Sequence, residues 1–450
     1  MKNSILSIEN FGYDFKWGVS TSAAQIEGSW NVDGKGPSIW DTFSANKNKI
    51  KNNDNLKTAC NHYQLYEQDL SLIQHMGISN YRFSLSWPRI FSRGYGEVNQ
   101  KGIDFYNRLI DGCIEKGITP WATLYHWDLP QALEDKGGWM NRDTMYRFVE
   151  YSALCAHKFG DRLKHIMTIN EPVVCAGAGY FLGVHAPGKR GAAKFIKAVH
   201  HLALSQAEAA RAVKEINSSI EIGTTFSCSY VQPLNSRPWN IRAAKRVDAM
   251  MNRLFIEPLL GLGYPLSDLP FLSPIEEYFK QGDDERLKCD MDFIGIQNYT
   301  REIIKHSLLT PYLHASLVKA DKREVETTAI GWEVFPESVY HMLKKFGAYK
   351  NIKKIIVTES GIALHDQLVN GQVCDYRRID YLQSHLAQVL RAKNEGVKVD
   401  GFFVWTLLDN FEWAEGYDPR FGLVHVNFET QTRTLKKSGY WYKKFLSGNS

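Results

Sequence analysis

The chain has 450 residues, 44% of them hydrophobic, with 54 basic against 49 acidic side chains and a formal net charge of +5. So even a balance, without charge runs, excludes the strongly basic face that nucleic acid or an anionic membrane surface requires, and no apolar run approaches the eighteen or so residues of a membrane span. Seven cysteines, an odd number with no C-x-x-C pair, argue against a disulfide framework and a zinc site and read as reduced thiols of a cytoplasmic protein.

Residues 1–11 hold isolated apolar side chains among Asn, Ser and Glu, not the continuous core of a signal peptide. Length alone suggests two or three domains, but α/β barrels run long as single units. No Pro/Gly/Ser linker or low-complexity tract divides the chain, so one domain over 1–450 is expected. In chain order, β-rich segments fall at 15–20, 81–86, 119–125, 165–169, 220–227, 293–298, 355–358 and 402–406. Between them lie stretches of helical periodicity such as 62–75, 102–115, 144–158 and 191–216. Eight strands with intervening helices predict a (β/α)8 barrel, whose functional residues gather at the C-terminal ends of the strands. The segment 306–326 is read as a loop, and the Lys436-Lys437 and Lys443-Lys444 pairs as a solvated face.

Two of those strand ends carry a Glu: Thr168-Ile169-Asn170-Glu171-Pro172 and Val357-Thr358-Glu359-Ser360-Gly361. Two carboxylates, each at the mouth of its own strand and facing one another across a barrel mouth, are what glycosidic bond cleavage needs, one as acid and one as nucleophile. Other ends present Arg82, His126-Trp127, Asn298-Tyr299 and Trp405, followed by Glu412-Trp413. Taken singly, each is more often a satisfied core residue than a functional one. Six strand ends with one chemistry make coincidence a poor explanation.

These segments resemble glycoside hydrolase family 1, the β-glucosidase family. The resemblance runs in order through Phe15-Lys16-Trp17-Gly18, Gln25-Ile26-Glu27-Gly28, Tyr81 to Ile90, Thr123 to Pro130, Thr168 to Pro172, Asn298-Tyr299, Gly331 to Pro336, Thr358 to Gly361 and Leu407 to Tyr417. It implies a retaining hydrolase with Glu171 as acid/base and Glu359 as nucleophile. Arg82, Asn298 and Tyr299 would support the nucleophile, and Gln25, His126, Trp127, Asn170, Trp405, Glu412 and Trp413 would hold the sugar. Trp332 would be a platform for the leaving group. Two positions depart from the common pattern: Ser360, where many relatives have Asn, and Ala24, where many have Tyr.

The expected substrate is a small-molecule or oligosaccharide β-glucoside such as a cello-oligosaccharide or an aryl glucoside, with β-galactosides and β-fucosides as further candidates. No cofactor or metal is implied, and nothing in the sequence signals an oligomeric state. Two alternatives are a 6-phospho-β-glucosidase, for which Arg420 speaks and Glu415 does not, and a catalytically inactive carbohydrate-binding protein, against which the retention of both glutamates argues. Gly183 to Arg190 fits a phosphate-binding P-loop except at its last residue, where Arg stands for Ser or Thr.

Overall fold

Runs such as Ile355-Ile356-Val357 and Phe402-Phe403-Val404 are apolar on both faces, as suits strands enclosed between a barrel interior and an outer layer of helices. The computed structural model describes residues 6–448; residues 1–5, part of the segment read as lacking a signal-peptide core, and 449–450 lie outside the described residues. Eight parallel strands form the barrel: β1 Lys16–Ser20, β2 Asn80–Ser84, β3 Thr119–Tyr125, β4 His165–Asn170, β5 Glu221–Ser227, β6 Phe293–Gln297, β7 Ile355–Ser360 and β8 Val399–Trp405. Each pairs with its sequence neighbour, and β8 closes on β1 with Lys16 opposite Gly401 and Ser20 opposite Trp405. The expected (β/α)8 barrel is therefore observed.

The outer layer includes α1 His62–His75, α2 Gln100–Glu115, α3 Arg142–Phe159, α4 Ala192–Ile216, α5 Glu337–Gly347 and α6 Tyr376–Asn394. In α2 the buried Ile103, Tyr106, Ile110 and Cys113 recur at helical spacing and form one stripe facing the barrel. Asn141 starts α3 by accepting the Asp143 amide at 3.0 Å, satisfying a donor that the helix cannot use itself. Among the described residues, no helix is long and apolar enough to cross a membrane.

Toward the N-terminal end, the barrel interior is filled by Trp121, Met167, Phe293, Ile356 and Phe403, each at most 1% exposed. Rings of this size need empty space on neighbouring strands. At Gly18 a Cβ would lie 2.3 Å from Phe403 Cδ1, and at Gly223 2.5 Å from Phe293 Cε2. Gly18→Ala is accordingly expected to destabilise the fold by about 1–3 kcal/mol through overpacking, measurable as a lower midpoint of urea unfolding. An unchanged midpoint would mean that the plug can shift freely.

Two expectations are corrected. Segment 306–326 contains a strand, Ala315–Leu317, that pairs antiparallel with Arg301–His306, which in turn pairs with Tyr230–Pro233. A three-residue strand close to Pro311 and a charged stretch is too short to give a periodic signal. Lys436 is not on a solvated face: it is fully buried, and its Nζ donates to Asp366 Oδ2 at 2.5 Å and Asp409 Oδ1 at 2.6 Å. Its sequence neighbourhood shows a charge pair, whereas its acidic partners come from remote segments.

Candidate active site

Strands β4 and β7 both lose regular pairing near their C-terminal ends. Register shifts fall between Met167 and Asn170 on β4, and after Val357 on β7. Such irregularities re-aim side chains. Glu359 lies within β7, not after it, and is 3% exposed. Glu171 follows β4 at the start of a short helix, Pro172–Ala176, in the left-handed conformation with φ 44°. That backbone is uncommon for a side chain larger than glycine. It is held by the Glu171 amide donating to Thr225 O at 3.0 Å and by the Val174 and Cys175 amides donating to Glu171 O.

Glu359 is clasped from two sides. Arg82 Nη1 donates to its Oε1 at 2.5 Å, and the Tyr299 hydroxyl donates to its Oε2 at 2.6 Å. Arg82 Nη2 reaches Asn170 Oδ1, also at 2.5 Å, where Gln297 Nε2 and Thr225 Oγ1 also donate. With its oxygen so occupied, Asn170 directs its amide nitrogen toward His126 Nε2 at 3.0 Å. Burial, reinforced by Arg82, keeps the His126 pKa well below the usual imidazole range, so the ring is neutral and can accept this proton.

Burial pushes the Glu171 carboxyl up to about 8, with the Glu359 charge adding to the effect and the Ser227 hydroxyl opposing it. Burial also raises Glu359, but Arg82 and Tyr299 hold it back. The pair is thus split by environment: one carboxylate has a cation and a phenol on its two oxygens, the other neither. Glu412 is likewise raised to about 8 by burial and by the charges of Glu359 and Glu415.

Glu171, Glu359, Tyr299, His126, Trp127, Trp332, Trp405, Glu412 and Trp413 line one cavity of about 280 Å³ at the C-terminal mouth of the barrel. Its walls are aromatic, with ring centroids 4.5 Å apart for Trp127 and Trp413 and 6.0 Å apart for His126 and Trp405. The other four predicted residues stand behind this surface. Arg82 and Asn170 form the network just described. Gln25 donates to Asn410 Oδ1 and Phe411 O, bracing the segment that leads to Glu412. Asn298 donates to Cys228 O at 2.8 Å and Ser338 Oγ at 2.9 Å. Ser360 is buried, its Oγ 3.4 Å from the Tyr381 hydroxyl, and Ala24 is buried beside Gln25.

Sequence reading did not single out Ser227, His185, Val174, Ile330 or Phe421, which also line the cavity. Ser227 ends β5, and the strand-end rule applied to that strand would have found it. His185 comes from the segment resembling a P-loop. There Lys189 pairs with Glu134 and the Lys189 amide donates to Gly179 O, so neither is arranged around a phosphate. Arg420 is also committed, donating to Asp409 Oδ2 at 2.9 Å and Val426 O at 3.0 Å.

Residues 7–450 match the family model described as glycosyl hydrolase family 1. The chain belongs to that family. It is 43% identical to a 1,4-β-D-glucan glucohydrolase of Thermotoga neapolitana over 98% of this chain and 99% of the relative, and 37% identical to a β-glucosidase of an Agrobacterium species over 97% and 95%. A solved Thermotoga maritima β-glucosidase in complex with deoxynojirimycin superposes with a TM-score of 0.92 at 43% identity, covering 98% of this chain and 99% of that one. The family resemblance seen in the sequence is thereby established.

Proposed function

We propose that the chain is a retaining exo-β-glucosidase that releases terminal non-reducing β-D-glucosyl residues from cello-oligosaccharides or aryl β-glucosides. The observation that carries this reading is the unequal pair of carboxyls at one cavity. Glu359, ionised and oriented by Arg82 and Tyr299, attacks the anomeric carbon; the glycosidic C–O bond breaks as its oxygen takes the Glu171 proton. Glu359 is then an ester, its charge is gone, and Glu171, having given up its proton, is held as a carboxylate with no anion beside it to oppose its charge. Water gives a proton to Glu171 and attacks the same carbon, releasing the sugar and restoring the Glu359 carboxylate. Asn298 fixes the strand end beside Tyr299.

Two polar atoms of the cavity residues support a polyhydroxylated ligand. Glu412 Oε2 and His126 Nδ1 are buried and have no hydrogen-bond partner among the described residues. Sugar hydroxyls would satisfy them, with Trp127, Trp405 and Trp413 packing on the ring, Gln25 and Asn170 bracing the frame, and Trp332 facing the leaving group. The names of the relatives, a 1,4-β-D-glucan glucohydrolase and a β-glucosidase, support a glucoside or β-glucan substrate here, as does the solved Thermotoga maritima β-glucosidase in complex with deoxynojirimycin. The deciding experiment is proton NMR of aryl β-glucoside hydrolysis. β-Glucose should appear before its α anomer; α-glucose first would overturn the retaining mechanism, and no turnover would favour a binding protein.

The same arrangement predicts the pH dependence. Glu171 acts as an acid only while protonated, so kcat/KM should hold below about pH 8 and fall as pH rises through that value. On the acid side it should fall as Glu359 becomes protonated. The Ser227 hydroxyl favours ionised Glu171, so Ser227→Ala should move the alkaline limb to higher pH; a downward move would contradict the assignment. A further expectation concerns a sugar 6-phosphate. With Arg420 committed and Glu415 at the cavity rim, the wild type should prefer an aryl glucoside over its 6-phosphate in kcat/KM. Glu415 is exposed and screened by solvent, so Glu415→Ser should narrow the gap by only several-fold. A wild-type preference for the 6-phosphate would reverse the substrate reading.

A further inference from the structure

The stretch Gly331-Trp332-Glu333-Val334-Phe335-Pro336 contributes one side chain, Trp332, to the cavity, yet its most enclosed member is the neighbouring acid. Glu333 is 3% exposed and holds two cations. Arg301 donates to it through Nε at 2.9 Å and Nη2 at 2.7 Å, and Arg323 Nη1 lies 2.7 Å from its Oε2. Arg301 is further fixed by stacking on Phe335, 3.7 Å from the ring centroid, and by donating to Gln232 Oε1. Arg323 also anchors its own segment through Val318 O. A bidentate guanidinium–carboxylate pair buried to this degree has little orientational freedom.

What this clasp joins is specific. Arg301 lies two residues beyond Tyr299, and Glu333 is the residue after Trp332. Between the two segments, Thr300 Oγ1 donates to Glu333 O at 2.9 Å, and the Tyr299 and Trp332 rings meet at a centroid distance of 5.4 Å. At the other end, the Tyr299 hydroxyl holds Glu359 at 2.6 Å. We propose that Glu333 is a positioning residue: by clasping Arg301 and Arg323 it fixes the segment carrying Trp332 against the strand end that presents Tyr299 to Glu359. The inference rests on the reading of Glu359 as nucleophile. Glu359 faces Arg82, Tyr299, Glu171 and Glu412, and of these only Tyr299 is within this clasp's reach. Glu333 itself faces Arg301, Arg323 and Glu302, whose carboxyl is pushed up to about 7 by burial while Arg323 holds it back.

The test is a double-mutant cycle of Glu333→Gln and Tyr299→Phe, read as kcat/KM for an aryl β-glucoside across pH. Tyr299→Phe should lower kcat/KM and move the acid limb to higher pH, because Glu359 loses a donor to its charged form. Glu333→Gln should lower kcat/KM by about 10- to 100-fold, the scale of a misplaced reacting group, and move the acid limb the same way. In the Tyr299→Phe background, Glu333→Gln should cost less than about threefold and leave the limb where it is. Should Glu333→Gln fail to fold, Arg301→Lys takes its place in the same cycle with the same expected outcomes. Losses that multiply in full, or an acid limb unmoved by the clasp variant, would overturn the inference while leaving the proposed function intact. A Tyr299→Phe enzyme with wild-type kinetics would overturn both the role of Tyr299 and the inference built on it.

Discussion

Replacing Glu359 with Gly is expected to lower hydrolysis of an aryl β-glucoside by at least about 10⁴-fold, roughly 5.5 kcal/mol of transition-state stabilisation. In the proposed mechanism the side chain removed is the attacking group, and it has no part in the barrel plug. Its loss leaves Arg82 with Asn170 as a partner but with one guanidinium nitrogen facing the space that the carboxylate filled. A small anion satisfies both demands: it pairs with the buried cation and attacks the anomeric carbon from the vacated side. Azide or formate should therefore restore part of the turnover, and azide should yield an α-glucosyl product, identified by its anomeric coupling constant. A variant that keeps wild-type activity, or a rescued product of β configuration, would remove Glu359 from the nucleophile role.

Glu171→Gln is expected to separate substrates by how much their leaving groups need a proton. General acid catalysis is worth about 10²- to 10⁴-fold, or roughly 3–5 kcal/mol. Cellobiose, which leaves as a sugar alkoxide, should lose that full factor in kcat/KM. A dinitrophenyl glucoside, whose phenolate leaves unaided, should lose little in its first step. Because in the proposed mechanism the same residue activates water afterwards, the second step should become slow with both substrates, so rapid mixing of the dinitrophenyl substrate should show a burst of phenolate followed by slow turnover. Equal losses for both substrates, without a burst, would assign Glu171 a structural role. The substitution also removes a carboxyl held near neutrality by burial, so the pH limb near 8 should vanish with it.

Much of this was legible in the amino-acid order because the barrel writes itself in local patterns. The helix predicted at 62–75 is observed with those bounds, and the one at 191–216 begins one residue later. All eight strands lie where apolar β-rich runs place them, since each is buried on both faces and bounded by turn residues. Eight residues at or just beyond strand ends line one cavity, joined by Trp332 from the far end of a loop. What local pattern does not encode is the partner of a buried charge. Lys436 looked solvated because Asp366 and Asp409 are remote from it in sequence, and nothing beside Glu333 in the chain announces Arg301 and Arg323, which reach it only after folding. Gln25, expected to hold the sugar, and Asn298, expected to support the nucleophile, both have their amide nitrogens spent on neighbouring backbone and side chains. Ser227 was passed over because a lone serine closing a strand has no motif around it.

The plug of Trp121, Met167, Phe293, Ile356 and Phe403 closes the barrel behind the cavity at its C-terminal mouth. In the proposed mechanism substrate, water and both products use that mouth, so geometry sets the order of traffic: the leaving group nearest the opening departs first, and the sugar lodged behind it goes afterwards. During the interval in which the sugar is attached to Glu359 in the proposed mechanism, the mouth admits whatever the solution offers. An alcohol or a second sugar that enters there competes with water for the same carbon. The ratio of glucosyl transfer to hydrolysis should thus rise with acceptor concentration, and free glucose, returning through the same opening, should compete with incoming substrate.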